Sequence, residues 1–339
     1  MNILVTGGAG FIGCNLTDRL IRDGHDVIVF DNLSRPGTPR NIEWLRTRGE
    51  ITLVQDDITD ADAIGSVFQD HTIDTVIHLA GQVAVTTSVT DPRSDFNINA
   101  LGTFNVLEAV RTSGQDSIFL YASTNKVYGG MEQIHIVEQD GRYAYQDHPL
   151  GIPEDAPLDF HSPYGCSKGS GDQYVRDYAR IYGMRTVVFR QSCIYGPHQM
   201  GMEDQGWLAW FAIAVLTGKP ITIYGDGRQV RDILFIDDLI DAYLAAIDRI
   251  DEVAGQVFNI GGGPEYSLAV WSEFGPMLER LFKREIPIVY EDWRPGDQKV
   301  FISDIEKARR YLDWSPGVSP EAGIPMMVNW IRNNQSLFI

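Results

Sequence analysis

The sequence predicts an α/β protein built on a doubly wound parallel sheet of the Rossmann type, with a smaller interleaved C-terminal α/β lobe. Three observations carry this prediction. Short apolar runs alternate with helical patterns as far as Arg190, a glycine-rich turn follows the first run, and turn-rich pieces replace the alternation after Gln191. A repeated strand–helix unit is typical of a parallel sheet covered by helices on both faces.

The strands are predicted from runs that are apolar on consecutive residues, as expected where both faces of a sheet are buried. These runs are 3–5, 27–30, 51–54, 76–79, 118–121, 186–189 and 257–260. The helices between them are predicted from a period near 3.6 residues. They cover 11–22, 60–69, 95–111 and 163–182.

The change of pattern divides the chain into two predicted domains. Residues 1–190 form the Rossmann domain, with an excursion over 130–160 that has no clear period and is rich in Pro, Tyr and acidic residues. A loop of that length in a compact domain is usually a functional lid or an excursion. Residues 191–339 form most of the second lobe, with some return to the sheet.

Composition excludes several classes of function. A formal net charge of −18 disfavours nucleic acid as a partner, because phosphate backbones are bound by clustered Lys and Arg. Three cysteines without a CxxC spacing and histidines without an HExxH pair indicate neither a disulfide framework nor a metal site. The longest apolar run, 207–216, is too short to cross a membrane, and no secretory leader pattern opens the sequence. We therefore expect a cytoplasmic protein.

The glycine turn after the first strand predicts a dinucleotide site. Gly8, Gly10 and Gly13 satisfy G-x-G-x-x-G, and Gly7, Gly10 and Gly13 satisfy the T-G-x-x-G-x-x-G variant. Glycines at these positions let backbone amides approach a pyrophosphate at a helix N-terminus and let the helix pack close to the strand. Asp31 ends the second strand at about the distance that this motif requires, roughly 20 residues further on.

Asp31 also indicates which dinucleotide binds. Its carboxylate would accept hydrogen bonds from ribose hydroxyls and repel a 2′-phosphate, which favours NAD over NADP. Arg35 leaves NADP as an alternative. Residues 57–58 and 79–81, after the third and fourth strands, are expected at the adenine edge and beneath the cofactor. The predicted cofactor residues are Gly7, Gly10, Phe11, Ile12, Gly13, Asp31, Asn32, Ser34, Arg35, Asp57, Ile58, Leu79, Ala80, Gln82, Asn99, Ala122, Tyr164 and Lys168.

Three side chains predict redox chemistry beside that cofactor. Tyr164 and Lys168 are four residues apart on one predicted helix, so both can face the same ligand. A tyrosine with a pKa near ~10 is a poor base at neutral pH, and a neighbouring ammonium would lower that pKa. Thr124, at the end of the fifth strand, would place a hydroxyl near the nicotinamide.

The order and spacing of these residues resemble the extended short-chain dehydrogenase/reductase family of nucleotide-sugar enzymes over essentially the whole chain. The resemblance implies that Tyr164 is the catalytic base, that Lys168 tunes it, and that Thr124 shares the substrate proton. It also implies tightly held NAD that is reduced and reoxidised within one turnover. A homodimer or homotetramer is implied as well, paired through the helices around 97–111 and 164–182.

The same resemblance implies a nucleotide-sugar substrate. Arg231 and Arg294 fall where the family binds the diphosphate, and guanidinium groups suit phosphate oxygens. The alternative is that both form surface salt bridges. Tyr224 could stack on any pyrimidine or purine. The expected substrate residues are Val85, Thr124, Asn125, Cys193, Trp207, Tyr224, Arg231 and Arg294.

The residues after Thr124 discriminate among the reactions of the family. Dehydratases of the family carry an Asp-Glu pair there, whereas this chain has Asn125 and Lys126. Many 4-epimerases and dehydratases of the family have an asparagine where this chain has Cys193. Cys193 either contacts the substrate or simply packs against its neighbours. Strings at 81–88, 123–129, 159–169 and 204–207 resemble the subfamily of 2-epimerases that interconvert CDP-paratose and CDP-tyvelose for surface glycans. The alternatives are a 4-epimerase of a UDP- or GDP-sugar and a non-catalytic NAD-binding protein.

Overall fold

The computed structural model describes residues 1–294 and 297–338. The strands are β1 (Asn2–Thr6), β2 (Asp26–Phe30), β3 (Thr52–Val54), β4 (Thr75–His78), β5 (Ile118–Thr124), β6 (Ile136–Gln139), β7 (Arg142–Tyr145), β8 (Thr186–Gln191), β9 (Cys193–Tyr195), β10 (Ile221–Tyr224), β11 (Val230–Phe235), β12 (Gln256–Ile260), β13 (Ser267–Ala269), β14 (Ile288–Glu291) and β15 (Val300–Phe301). The helices are α1 (Phe11–Arg22), α2 (Thr38–Arg46), α3 (Ala61–Asp70), α4 (Val85–Thr90), α5 (Pro92–Phe96), α6 (Gly102–Ser113), α7 (Ser162–Tyr182), α8 (Trp207–Thr217), α9 (Ile236–Asp248), α10 (Ile250–Val253), α11 (Phe274–Phe282), α12 (Glu306–Leu312) and α13 (Pro320–Asn333).

The central element is a seven-stranded parallel sheet in the order β3-β2-β1-β4-β5-β8-β12. The connections reverse direction between β1 and β4, where Thr6 is in register with both Phe30 and His78. In such sheets ligands bind in the crevice outside the carboxyl ends of the strands at this reversal. The register therefore brings the segments that follow β1, β2 and β4 to one edge of the sheet.

Both faces of the sheet are buried, which explains the consecutive apolar residues of its strands. Ile3 and Val5 belong to the apolar core on one face, whereas Leu4 belongs to the core on the other. The first core includes Leu16 of α1, and the second includes Val106 of α6. Alternate side chains of a strand point to opposite faces, so a strand covered on both sides must be apolar throughout.

All seven predicted strands of the sheet are present, but one predicted helix differs. The pattern at 95–111 is divided into α5, a π-helical turn at Asn97–Leu101 and α6. The extra residue of the π turn moves the side chain of Asn99 inward, where it is 1% exposed. The residues are helical throughout, so one helical period describes them, and the one-residue insertion of the π turn leaves no mark in that period.

The excursion at 130–160 contains a β-hairpin that the sequence analysis missed. Strands β6 and β7 pair in antiparallel fashion, joined by Asp140 and Gly141 with φ of 53° and 77°. An Asp-Gly pair with two positive φ angles is the signature of a tight hairpin turn. That dipeptide was the available signal, and the polar, exposed strands on either side obscured it.

The C-terminal half is interleaved with the first sheet. Strand β12 returns to pair with β8, while β9, β11, β13 and β15 form a second sheet, and β10 pairs with β14. Because α8 and α9 share one core with α1, the boundary at residue 190 remains a prediction. Across the described residues, no helix is long and apolar enough to cross a membrane.

Candidate active site

The glycine turn after β1 is shaped by close backbone contacts. Gly7 has a φ of +70°, and a Cβ placed on it would lie 2.7 Å from the main-chain nitrogen of Ala80. A Cβ on Gly13 would lie 2.1 Å from the carbonyl oxygen of Gly7. Helix α1 begins at Phe11 with no side-chain cap on its first amides. These amides are therefore left to a ligand at the helix N-terminus, which suits a pyrophosphate.

Asp31 stands at the end of β2, beside that turn. Its carboxylate accepts the main-chain amides of Ala9 at 3.0 Å and Leu33 at 2.8 Å. Burial raises the pKa of Asp31, and these two hydrogen bonds oppose the rise. A carboxylate has further lone pairs, so ribose hydroxyls can still bind to it.

The segment after β4 forms the opposite wall, supported from below by a buried polar network. Asn99 donates to the carbonyl of Gln82 at 2.9 Å and to Asp95 at 2.9 Å, and the Gln82 amide group also donates to Asp95 at 2.9 Å. Asn99 thus holds the wall in place from beneath the cleft. Contact of Asn99 itself with the cofactor stays a prediction, since the bonds shown for its side-chain amide are to Gln82 and Asp95.

Arg35 closes the cleft from the side of β2. Its guanidinium donates to Gln205 at 2.6 Å, which joins the segment after β2 to the segment before α8. Burial lowers the pKa of Arg35, and the charge of Asp31 opposes this change. The sequence predicts Arg35 at the cofactor but not Gln205, since a contact between segments so distant along the chain leaves no local pattern.

Together these walls enclose a cleft of about 400 Å³. The predicted residues that line it are Gly7, Gly10, Phe11, Ile12, Gly13, Asp31, Asn32, Ser34, Arg35, Asp57, Ile58, Leu79, Ala80, Gln82, Ala122, Tyr164 and Lys168. Further lining residues, which were not among the predicted cofactor residues, include Thr38, Thr87, Ile98, Ser123, Gln191, Met202 and Gln205. A glycine cradle, a carboxylate at the ribose position and a cleft of this size fit a dinucleotide.

Thr124 and Tyr164 meet at the inner end of the cleft. Thr124 ends β5 and Tyr164 lies in the first turn of α7, and both are less than a tenth exposed. Burial raises the pKa of Tyr164 to about 12, while a hydrogen bond with Thr124 and the charge of Arg35 act to lower it. The hydroxyl pair is therefore placed for proton transfer, with a neutral tyrosine in this arrangement.

Lys168 lies one turn further along α7, with its ammonium 4.3 Å from the ring centroid of Tyr121. Burial lowers the pKa of Lys168 to about 7, and the charges of Asp172 and Asp95 oppose this change. Asp172 itself is bonded to Arg190 at 2.9 Å and to Ser123 at 2.8 Å. Lys168 as the tuner of Tyr164 stays a prediction.

The substrate residues predicted in the second half of the chain fall into two groups. Cys193 and Arg231 lie on the paired strands β9 and β11, and burial raises the pKa of the Cys193 thiol. Further out, the Arg294 guanidinium stacks on the ring of Tyr224 at 3.6 Å and forms an ion pair with Asp204 at 3.2 Å. One face of Tyr224 is thus covered, and a nucleotide base would use the other face or displace Arg294.

The remaining predicted substrate residues stand at the beginnings of elements. Val85 begins α4 and Trp207 begins α8, and both are half-buried. Asn125 opens a 3₁₀ turn at Asn125–Tyr128, with its side-chain oxygen 3.4 Å from the Thr124 hydroxyl. Two residues of the predicted turn around Arg294, at 295–296, lie outside the described residues. Contact of any of these side chains with substrate stays a prediction.

The cleft, the hydroxyl pair and the sheet order agree with a match to a family model. Residues 3–261 match the NAD dependent epimerase/dehydratase family. The chain belongs to this family. It is an NAD-dependent enzyme of the extended short-chain dehydrogenase/reductase type, and its nicotinamide cofactor is the one that the glycine turn and Asp31 predicted.

Curated relatives and solved structures place the chain among nucleotide-sugar epimerases. It is 45% identical to CDP-paratose 2-epimerase of Salmonella typhi, over 97% of this chain and 99% of that protein. The UDP-glucose 4-epimerase of Thermotoga maritima, solved with UDP-glucose, has a TM-score of 0.85 at 34% identity, covering 99% of this chain and 100% of that one. The UDP-glucuronic acid 4-epimerase of Bacillus cereus, solved with UDP-glucuronic acid and NAD, has a TM-score of 0.84 at 31% identity, covering 98% and 99%.

Proposed function

We propose that this enzyme converts CDP-paratose to CDP-tyvelose by inverting carbon 2 of the sugar. The residues that follow the Thr124 hydroxyl carry the proposal. They are Asn125, which is buried, and Lys126. Elimination of water would require carboxyl groups at these two positions, and an amide and an ammonium stand there instead. Oxidation and reduction alone remain, which is the chemistry of an epimerase. The 45% identity to CDP-paratose 2-epimerase over nearly the full length supports the choice of carbon and nucleotide.

The mechanism follows from where the side chains lie. Tyr164, ionised with the help of the Lys168 ammonium and the positively charged nicotinamide, would remove the proton of the carbon 2 hydroxyl, and Thr124 beside it would hold that oxygen. NAD, held by the glycine turn and Asp31, would supply the acceptor for the hydride of carbon 2 and the donor for its return to the opposite face of the keto sugar. Tyr164 then gives its proton back to the oxygen. Residues 1–190 would hold the cofactor, and residues 191–339 would hold most of the nucleotide sugar. The keto sugar would then rotate in the space between the two parts and present its opposite face to the cofactor.

Incubation with CDP-paratose, followed at carbon 2 by NMR, tests the proposal. We expect CDP-tyvelose to form without added reductant, because the two redox steps cancel. Tyr164→Phe should reduce turnover by at least about a hundredfold, since general base catalysis contributes on that scale. The variant should retain bound NAD, measured after denaturation, because the phenolic oxygen is not needed for the glycine cradle.

Two other outcomes identify the rivals. Turnover of a UDP- or GDP-sugar at carbon 4, with CDP-paratose untouched, would identify a 4-epimerase with the same redox core. Absence of a reduced-nicotinamide absorbance band with every sugar nucleotide would identify a non-catalytic NAD-binding protein. The intact pair of Thr124 and Tyr164 in a closed cleft argues against the second rival.

The enzyme would act as a homodimer, or as a homotetramer that contains this dimer. Exposed apolar side chains collect on the adjacent helices α6 and α7, where Phe104 packs on Tyr174 at 5.7 Å. Phe104 is 37% exposed, Tyr174 49% and Ile181 67%. A surface of this kind on a protein of such high net charge marks an interaction site, and an isologous contact with a second copy would cover it.

We place the reaction in the cytoplasm, as a step in the synthesis of surface glycans. Cys14, Cys166 and Cys193 are free thiols in the structure. Free cysteines persist in reducing compartments, which supports this location.

A further inference from the structure

Lys126 is a cation set directly beside the reacting hydroxyl. It lies in the 3₁₀ turn at Asn125–Tyr128, and its main-chain amide donates to the Thr124 hydroxyl at 3.3 Å. The turn is rigid, because Val127 is fully buried and Gln298 donates to the carbonyl of Gly129. The Lys126 side chain is half-buried, and its turn begins directly after Thr124, the last residue of β5.

A second cation, Arg231, lies on β11 near the turn that holds Lys126. Thr124 is in register with Gln191 of β8, and Ile233 of β11 is in register with Cys193 of β9, so the segments that carry Lys126 and Arg231 both converge on residues 191–193. Burial and the charge of Arg231 both lower the pKa of Lys126, while Asp297 opposes them. The guanidinium of Arg231 donates to the carbonyl of Val230 at 2.8 Å.

These two cations lack the partners that buried charges usually have. Within residues 1–294 and 297–338, neither Lys126 nor Arg231 has a carboxylate oxygen within 4.0 Å. Arg190 and Arg294, by contrast, have Asp172 and Asp204 at 2.9 and 3.2 Å. Two like charges that are close together and half-buried repel one another unless an anion binds between them. The pair therefore points to an anionic group of a ligand.

We propose that Lys126, together with Arg231, binds the sugar-linked phosphate of the substrate and thereby places carbon 2 at Thr124 and Tyr164. The inference rests on the proposed function. Carbon 2 is bonded to carbon 1, which carries the phosphate, whereas carbon 4 lies across the ring from it. A cation beside the reacting hydroxyl thus favours reaction at carbon 2, because the phosphate must then lie next to Thr124. Lys126 is in this way the residue that sets which carbon is oxidised.

The test compares Lys126→Met with Lys126→Arg and with Lys219→Met, all as NAD-bound enzymes. Met keeps the length of the side chain without its charge, Arg keeps the charge, and Lys219 is an exposed control at the end of α8. We expect Lys126→Met to bind CDP about ten- to a hundredfold more weakly, the range for loss of a charged hydrogen bond. Its affinity for cytidine should not change, and its turnover of CDP-paratose should fall at least as much as its affinity for CDP. Lys126→Arg should recover part of both losses, and Lys219→Met should match the wild type.

Two results would overturn the role of Lys126. The first is wild-type affinity for CDP and wild-type turnover in Lys126→Met. The second is an equal loss of CDP affinity in Asp297→Asn together with a lower melting temperature, which would assign Lys126 to an internal ion pair. Failure of the proposed substrate gives a different result, in which the wild type leaves CDP-paratose unchanged. In that case the nucleoside diphosphate that the wild-type enzyme binds most tightly is used instead of CDP, and the affinities of the Lys126 and Lys219 variants for it are compared.

Discussion

Lys168 is the residue whose burial has the clearest consequence for stability. Its pKa falls from 10.5 to about 7 in the folded enzyme, so between these values the unfolded chain binds a proton that the folded chain does not. The free energy of unfolding therefore rises with pH across this window. Below pH 7 the buried ammonium is charged in both states, and the full cost of burying it is present.

Replacing Lys168 by Met removes this dependence. In protein stripped of NAD, Lys168→Met should be more stable than the wild type near pH 6, and the difference should shrink as pH approaches 10. One pKa unit corresponds to about 1.4 kcal/mol, so the change across the window from pH 7 to 10.5 should be on the order of 5 kcal/mol. Urea unfolding at several pH values measures it. A difference between the two proteins that does not vary with pH would show that Lys168 titrates normally.

At the same scale, the sequence predicted the residues that carry a local pattern and missed those that depend on a distant partner. The glycine turn, Asp31, Tyr164 and Lys168 were found because a motif fixes their spacing along the chain. Gln205 was missed because its role comes from a hydrogen bond to Arg35, and the sequence holds no trace of that contact. The sequence also does not show which charged side chains are partly buried. From the sequence alone, Lys126 therefore indicated only that the carboxylate of the dehydratases is absent.

Helix α1 depends on the absence of a side chain at Gly13. A methyl group there would lie 2.1 Å from the Gly7 carbonyl oxygen and 2.6 Å from the Gly8 Cα, all backbone atoms that cannot rotate away. Gly13→Ala must therefore push α1 away from the turn after β1. We expect a loss of stability of about 1–3 kcal/mol, the usual cost of overpacking. We also expect the purified protein to lose its bound NAD.

Gly65→Ala on α3 is the matched control. Nothing lies within 4 Å of a Cβ at Gly65, so alanine fits and its higher helix propensity should leave the protein as stable as the wild type or slightly more so. Thermal melts and NAD content after denaturation measure both variants. Wild-type NAD content in Gly13→Ala would mean that the close approach of α1 is not what forms the cofactor cradle.

Elements were predictable where one period held and not where it changed. Helix α1 agrees with the prediction at both ends, because its apolar face runs without interruption from Phe11 to Arg22. The region 95–111 is helical throughout, as predicted, but its π turn was not predicted, because a helical period does not show the insertion of one residue. The hairpin β6–β7 was not predicted, because β6 is mostly exposed and β7 is only half-buried except at Tyr145, so neither resembles the fully buried strands of the central sheet.

Helix α7 links the exposed apolar surface on α6 and α7 to the active site. The first turns of α7 carry Tyr164 and Lys168, and its later turns expose Tyr174 and Ile181 beside Phe104 of α6. A dimer formed through this surface would hold α7 along its length. It would therefore fix the position of the proposed base as well as bury apolar area.

Phe104→Glu tests this assembly. It adds a carboxylate to each copy at the proposed two-fold contact, where like charges would face one another without water. We expect sedimentation velocity to show a dimer for the wild type and a monomer for the variant, or a dimer in place of a wild-type tetramer. The variant should also have a lower melting temperature. Met326→Glu, an equally exposed position on α13, should leave the mass unchanged. A wild type that is monomeric at micromolar concentration, or a Phe104→Glu protein of unchanged mass, would mean that another surface, or none, joins the copies.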